Sequence, residues 1–209
     1  MSSADYFTFF SLPPKLHLDT SALEKAFYSL SRKLHPDRFA SKPLAEQEAA
    51  LAQSSHLNDA YRTLKDPILR TQYLLTLEGI QLEEQSKAAT EAARNTGVEK
   101  KQVVPPELLE EVFELNMQLA EMRAARQMGE DSESEPELRR SLLTAKDAFD
   151  DKMVETQAEL EALWSEWDAA LDAGDRPAQL KARDAMVTLL NKRNYLRNLV
   201  RDVNEALGD

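Results

Sequence analysis

The chain has 209 residues, no cysteine and a formal net charge of −11. Without thiols it can form neither a disulfide nor a thiolate metal site. No apolar run approaches the roughly 20 residues of a membrane-spanning helix, and the N-terminus lacks a basic stretch followed by an apolar one, so we expect a cytoplasmic protein. The acidic excess lies in residues 83–209 and argues against non-specific nucleic-acid binding, which needs cationic side chains against phosphate.

Helix is predicted along nearly the whole chain, because glycine is scarce, strand-like alternation is absent and good helix formers are abundant. The aromatic cluster between Tyr6 and Leu12 predicts one or two helical turns resting on a core, and Pro13-Pro14 ends them. A second helix is predicted to begin between Asp19 and Ser21, with Ser21 and Glu24 at capping-box spacing.

The second helix carries one apolar face and is predicted to pair with a third. Its inner positions recur at helical steps at Leu23, Phe27, Leu30 and Leu34. Pro36 predicts that it ends near Leu34 or His35. Residues 38–44 are predicted to be a loop, a third helix to run from about 43 to 64, and a short one from 68 to 77, which Gly79 ends. The second and third helices then form an antiparallel hairpin.

Three long helical patterns follow in the acidic half, at about 106–128, 136–171 and 177–207, with short breaks between them. Short connections between long helices predict antiparallel neighbours. The predicted fold is therefore all-α, with a helical hairpin in residues 1–80, a polar connector at 81–105 and an antiparallel three-helix bundle at 106–209.

The tripeptide His35-Pro36-Asp37 lies where the second helix stops. Proline fixes its own φ and keeps the preceding residue out of the helical region, so Asp37 is predicted to project from a stiff turn. A carboxylate displayed in this way has no evident role in the fold and suits a cationic partner. The alternative is a chance turn between two helices, because a tripeptide alone is a weak motif.

The residues around this turn strengthen the prediction that it binds a partner. Arg38-Phe39 follows, and the next helix contains Leu57-Asn58-Asp59-Ala60-Tyr61 ahead of Asp66-Pro67 and Arg70. This ordered set resembles the J-domain, the module that stimulates ATP hydrolysis by DnaK-type chaperones. The resemblance implies that the turn and the positive face of the preceding helix dock on the chaperone. Carried onto this sequence, the docking residues are His35, Pro36, Asp37, Lys25, Arg32, Lys33 and Arg38.

A narrower resemblance covers residues 5–80. The segments 5–13, 35–41, 45–47 and 70–75 are similar to the HscB family, J-type co-chaperones of iron–sulfur cluster assembly. Over 106–209 the similarity is one of helical layout. Some relatives carry a zinc module built on cysteine pairs, which this chain lacks, so we expect no metal site. The resemblance implies two partners, a DnaK/HscA-type ATPase and an IscU-type scaffold protein, and no cofactor.

The helix at 106–128 has two apolar rows. The first row, Leu108, Val112, Leu115, Leu119 and Met122, has the spacing of a bundle seam. The second row, Leu109, Phe113 and Met117, is flanked by Glu110, Glu114 and Glu121 and suits a partner with an apolar patch and a basic rim. Alternatively, this helix is simply buried on a wide face. The HscB resemblance favours the partner and implies scaffold contacts at Leu109, Phe113, Glu114, Met117, Glu121 and Tyr195.

Nothing in the sequence indicates catalysis. The three histidines are far apart, no glycine-rich loop suits a nucleotide, and Trp164 and Trp167 have the spacing of packing residues. We therefore expect a co-chaperone, not an enzyme, that stimulates the chaperone ATPase and delivers the scaffold for cluster transfer. Two alternatives stay open: a J-domain co-chaperone with another client, and a structural protein whose long helices self-associate.

Overall fold

The computed structural model describes residues 5–80, 105–128 and 135–208. All regular structure in these ranges is helical, which confirms the predicted all-α fold. Two single-turn 3-10 helices, Pro36–Phe39 and Pro106–Leu108, accompany the α-helices. The α-helices are α1 (Tyr6–Phe9), α2 (Thr20–Leu34), α3 (Leu44–Lys65), α4 (Pro67–Leu77), α5 (Leu109–Met128), α6 (Glu135–Ala173) and α7 (Arg176–Leu207).

The chain forms two compact units. The first consists of residues 1–82 and 163–183, and the second of residues 83–162 and 184–209. The end of α6 and the start of α7 thus belong to the first unit, although their sequence pattern continues that of the bundle. Nearly all of the predicted connector lies outside the described residues, and the division at residues 80 and 106 stays a prediction.

The start of α2 differs in detail from the prediction. The N-cap is Asp19, whose carboxylate accepts the amide N–H groups of Ser21 and Ala22 at 2.9 and 3.0 Å. The predicted capping box is therefore wrong, because Ser21 already lies inside the helix. Glu24 instead accepts the hydroxyl proton of Tyr61 on α3 at 3.4 Å.

The α2–α3 hairpin is confirmed and has a small apolar core. Leu23, Leu57, Ala60 and Leu64 are buried between the two helices. Phe27 stacks on Tyr61 with the ring centroids 4.2 Å apart. Each Å² of apolar surface that this stripe removes from water stabilises the fold by about 25 cal/mol, and this burial is the main stabilisation of the hairpin.

A buried arginine closes the corner between α3 and α4. Arg70 is almost fully buried, and its Nη1 donates to the carbonyl of Leu64, one of the last carbonyls of α3. Such carbonyls have no partner within their own helix. Burial lowers the pKa of Arg70, while the negative charges of Asp168 and Asp66 act in the opposite direction. The guanidinium therefore anchors the corner as a desolvated cation.

The segment between α1 and α2 is held by residues of α6. Asp168 accepts the amide N–H groups of Leu16 at 2.7 Å and His17 at 2.9 Å, with 13% of its side chain exposed. Trp167 is buried, and its indole N–H donates to the carbonyl of Pro14 at 3.0 Å. Trp164 is also buried, so the prediction that both tryptophans are packing residues is confirmed.

The second unit has a core shared by three helices. The predicted seam of α5 is buried and packs with Leu142 and Phe149 of α6 and Leu196 and Val203 of α7. Arg139, near the start of α6, donates to the carbonyl of Leu207 at the end of α7 at 3.1 Å, as antiparallel helices require. The predicted three-helix layout is confirmed.

Replacing Asp168 by Ala should lower the free energy of unfolding by roughly 1.5–3 kcal/mol, because the amides of Leu16 and His17 lose a charged acceptor, and the first of these hydrogen bonds is partly buried. Asp172 on the same helix is the matched control, since it makes only an exposed ion pair with Lys15. Asp172→Ala should cost less than about 1 kcal/mol. Urea unfolding of both variants measures the difference, and equal losses would contradict the assignment.

Candidate functional site

The turn after α2 presents an exposed carboxylate. Residues 36–39 form a 3-10 turn, and the side chain of Asp37 is 89% exposed. His35 Nδ1 accepts the amide N–H of Asp37 at 3.3 Å and lies 3.5 Å from its Oδ2. Among the described residues, no lysine or arginine pairs with Asp37. The carboxylate is thus available to a cation outside the chain.

Two side chains hold the turn in place. Arg38 Nη1 folds back and donates to the carbonyl of Arg32 in the last turn of α2, where cations interact favourably with the helix dipole. Gln47 of α3 donates through Nε2 to the carbonyls of Lys42 at 2.8 Å and Ala40 at 3.3 Å. The predicted loop at 38–44 is therefore partly wrong, because its first two residues continue the 3-10 turn that Pro36 begins.

Three of the predicted docking residues lie on α2. Lys25, Arg32 and Lys33 are all exposed, and none forms an ion pair with another described residue. Lys25 and Arg32 are seven residues apart and share one line along the helix, whereas Lys33 is displaced by about 100°. The structure thus places Lys25 and Arg32 on one face of α2, Arg38 in the turn that follows the helix, and Lys33 on an adjacent face.

One exposed residue on this face, Tyr28, was not predicted from the sequence as a binding residue. It lies between Lys25 and Arg32, and 54% of it is exposed. A large aromatic side chain on the polar face of an amphipathic helix was the signal that could have found it.

A second candidate surface lies on α5. Leu109, Phe113 and Met117 are 55%, 69% and 51% exposed, while the seam row of the same helix is buried. The alternative that α5 is buried on a wide face is therefore wrong. Glu110, Glu114 and Glu121 are exposed beside the apolar row, and Glu114 accepts a hydrogen bond from Gln118 Nε2 at 3.3 Å. We call Leu109, Phe113 and Met117 the α5 row.

Tyr195 does not lie on this surface. Only 5% of it is exposed, and it packs in the core of the second unit with residues of α5 and α6. Burial raises the pKa of its hydroxyl, because the ionised form would lose solvation. The structure therefore brings five of the six predicted scaffold-binding residues to one helix and leaves Tyr195 in the core.

The residues that the structure describes hold no group of three metal-ligating side chains, and no helix among them is long and apolar enough to cross a bilayer. His56 lies among the rings of Tyr6 and Phe9, at centroid distances of 5.2 and 4.9 Å, and His17 contacts Asp168. The two histidines thus have packing and hydrogen-bonding neighbours of their own.

The turn and its flanking helices match a known family. The family model described as the DnaJ domain matches residues 5–73, a range that contains α1 to α3, the turn and most of α4. Residues 5–73 are therefore similar to the DnaJ domain, and this range includes the α2–α3 hairpin and His35-Pro36-Asp37.

Two solved structures resemble the chain over nearly its whole length. The human co-chaperone protein HscB is 22% identical, covers 98% of this chain and 83% of its own, and superposes with a TM-score of 0.57. The chaperone HscB from Vibrio cholerae is 24% identical over 94% of this chain and 97% of its own, with a TM-score of 0.47. The human protein shows that the DnaJ domain and the helices after it share the HscB fold.

Replacing Gln47 by Ala should loosen the turn, because two carbonyls of residues 38–43 lose their side-chain donor. We expect the amides of Arg38, Ala40 and Lys42 to exchange with deuterium about fivefold faster, as loss of roughly 1 kcal/mol predicts. Gln53, exposed on the same helix, provides the control variant Gln53→Ala, with no change expected. Hydrogen-exchange mass spectrometry distinguishes them; similar rates in both variants would oppose this role for Gln47.

Proposed function

We propose that this chain is a J-domain co-chaperone that stimulates the ATPase of a DnaK- or HscA-type chaperone and delivers an IscU-type scaffold to it for iron–sulfur cluster transfer. One observation carries the proposal: within residues 5–73, which match the DnaJ domain, the turn holds an exposed Asp37 with which no described lysine or arginine pairs. A fixed carboxylate of this kind contributes little to the fold and is suited to a charged hydrogen bond with a partner.

Electrostatics explain how the turn would act on the ATPase. Asp37 would accept hydrogen bonds from a cationic group on the chaperone. His35 and Pro36 would fix the position from which its side chain projects. Lys25, Arg32, Lys33 and Arg38 would face carboxylates around that group. Complementary charge mainly raises the association rate and fixes the orientation of the complex. An acid at the turn beside these cations would therefore set the register of docking.

The chain would act as a regulator and perform no chemistry. ATP hydrolysis occurs in the chaperone, and a co-chaperone accelerates it only by binding the hydrolysis-competent conformation more tightly than the resting one. In this proposal residues 1–80 bind the chaperone and residues 106–209 bind the client. Carrying both on one chain raises their effective concentration for each other.

The α5 row is the proposed client surface. Its three exposed apolar side chains, bordered by Glu114 and Glu121, suit a scaffold with an apolar patch and basic residues around it. Met117 stands where the family more often has an acidic residue, so the contact here is more apolar. Tyr195 would join only by leaving the core, and the proposal therefore depends on the exposed row. We assign the activity to the cytoplasm, with no nucleic-acid or membrane partner and no cofactor.

The variant Asp37→Asn tests the first half of the proposal. The amide keeps the shape of the side chain but loses its charge, so stimulation of the chaperone ATPase should fall about ten- to a hundredfold. Glu48→Gln removes one negative charge from an exposed position on α3 and serves as the matched control. Steady-state phosphate release measures both, and near wild-type stimulation by Asp37→Asn would refute the role of the turn.

The variant Phe113→Ala tests the second half. Phe113 is the most exposed member of the α5 row, and its loss should weaken scaffold binding about tenfold or more, as removal of an aromatic anchor does. Stimulation of the ATPase without scaffold should be unchanged. Val154→Ala removes an exposed apolar side chain from α6 and should affect neither. Isothermal titration calorimetry gives the affinities. Unchanged scaffold affinity in Phe113→Ala would exclude the row as the client surface.

A further inference from the structure

Tyr28 is the one large apolar or aromatic side chain of α2 that lies on its exposed side in the structure. It follows Lys25 by three residues and precedes Arg32 by four, so the three side chains form one line along the helix. Phe27, the neighbouring aromatic residue, points instead into the hairpin. An exposed tyrosine between two exposed cations has no role in the apolar core of the hairpin.

The ring of Tyr28 is supported by an aromatic series that reaches α3. It contacts Phe27 edge to face at 5.5 Å, Phe27 stacks on Tyr61 at 4.2 Å, and Lys65 Nζ lies 5.2 Å from the centre of the Tyr61 ring. Its rotamer is therefore partly fixed before any partner binds, which reduces the entropy lost on binding.

Lys65 brings a third cation to this surface. Tyr61 has the largest effect in raising the pKa of Lys65, in keeping with the position of the ammonium group over the Tyr61 ring, and Glu24 raises it further. Glu24, four residues before Tyr28, is hydrogen-bonded to Tyr61. Tyr28 is thus flanked by Lys25 and Arg32 on its own helix, and Lys65 lies on α3 beyond the Phe27–Tyr61 pair.

We propose that Tyr28 is the aromatic anchor of the chaperone-binding surface, and that this surface extends from α2 across Tyr28 to Lys65 at the end of α3. The inference rests on the proposed function and names a specific contact within it. The occupant is an acidic face of the chaperone ATPase with a recess for one aromatic ring, because Lys25 and Arg32 flank the tyrosine and Lys65 adds positive charge beyond Tyr61.

An anchor and a guiding charge affect binding in different ways. Tyrosine is among the residues that most often dominate interface energies, since its rigid ring buries a large area at low entropic cost. The lysines at the border act over a longer range and are screened by salt. In the proposed function Asp37 favours the hydrolysis-competent conformation of the chaperone, whereas Tyr28 would only set how tightly the complex forms.

Titration of the co-chaperone against a fixed amount of chaperone tests the inference, with the half-maximal concentration and the maximal ATPase rate as separate readouts. Tyr28→Ala should raise the half-maximal concentration about tenfold and leave the maximal rate unchanged. Tyr28→Phe should stay within about twofold of wild type, because the ring is retained. Leu51→Ala, at an exposed position of α3 beside Glu48, is the control, with no change expected.

A charge variant tests the extension onto α3. Lys65→Gln should raise the half-maximal concentration about two- to threefold at low ionic strength, and the difference should disappear at high salt. An unchanged half-maximal concentration at low salt would confine the surface to α2 and overturn this part of the inference.

The outcomes separate this inference from the proposed function. Absence of any stimulation by the wild-type chain would refute the proposed function itself. Stimulation that Asp37→Asn abolishes and Tyr28→Ala leaves at wild-type affinity would overturn the inference alone. Thermal unfolding checks the fold of each variant. If Tyr28→Ala is unfolded, Tyr28→Gln gives the same test, and wild-type affinity in that variant likewise overturns the anchor.

Discussion

Pro36 imposes the constraint on which the rest of the site depends. It cannot continue α2, and its ring holds His35 in an extended conformation at φ −60° and ψ 127°. The chain must therefore leave the helix axis at this point, and Asp37 projects into solvent. Arg38 and Gln47 then fasten the departing segment to α2 and α3. The restricted backbone at Pro36 thus fixes the position of the Asp37 carboxylate.

The two proposed partner surfaces have opposite electrostatic surroundings. Tyr28 is flanked by Lys25 and Arg32, whereas the α5 row is bordered by glutamates. Apolar area alone would attract either partner to either surface, since the hydrophobic effect has no direction. Because one surface is bordered by cations and the other by carboxylates, binding of a partner to the wrong surface would bring like charges together and is unfavourable. In the proposed function, charge sorts the two partners and apolar contact holds them.

Features that depend on residues close together in the chain could be predicted from the sequence, and most of these predictions were confirmed. Helical periodicity located α2, the seam of α5 and the end of α2 at the proline, because each depends on neighbours within a few residues. The capping prediction failed by two positions, since Asp19 and Ser21 are both good caps and only the geometry selects one. Periodicity also showed that α5 has two apolar rows but could not say which was exposed. The HscB resemblance implied a contact at Tyr195, but its burial depends on packing with α5 and α6, which no local pattern shows.

Contacts between distant parts of the chain could not be read in this way. Asp168 reaches Leu16 across 152 positions, and no local pattern marks either residue. This contact has a consequence for how the protein can be divided. A fragment ending at residue 80 would lose the carboxylate of Asp168, the indole of Trp167 and their hydrogen bonds to the backbone of Pro14, Leu16 and His17. The same reasoning applies to gene fusion: a DnaJ domain of this kind could be transplanted to another protein only together with the helical segment 163–183.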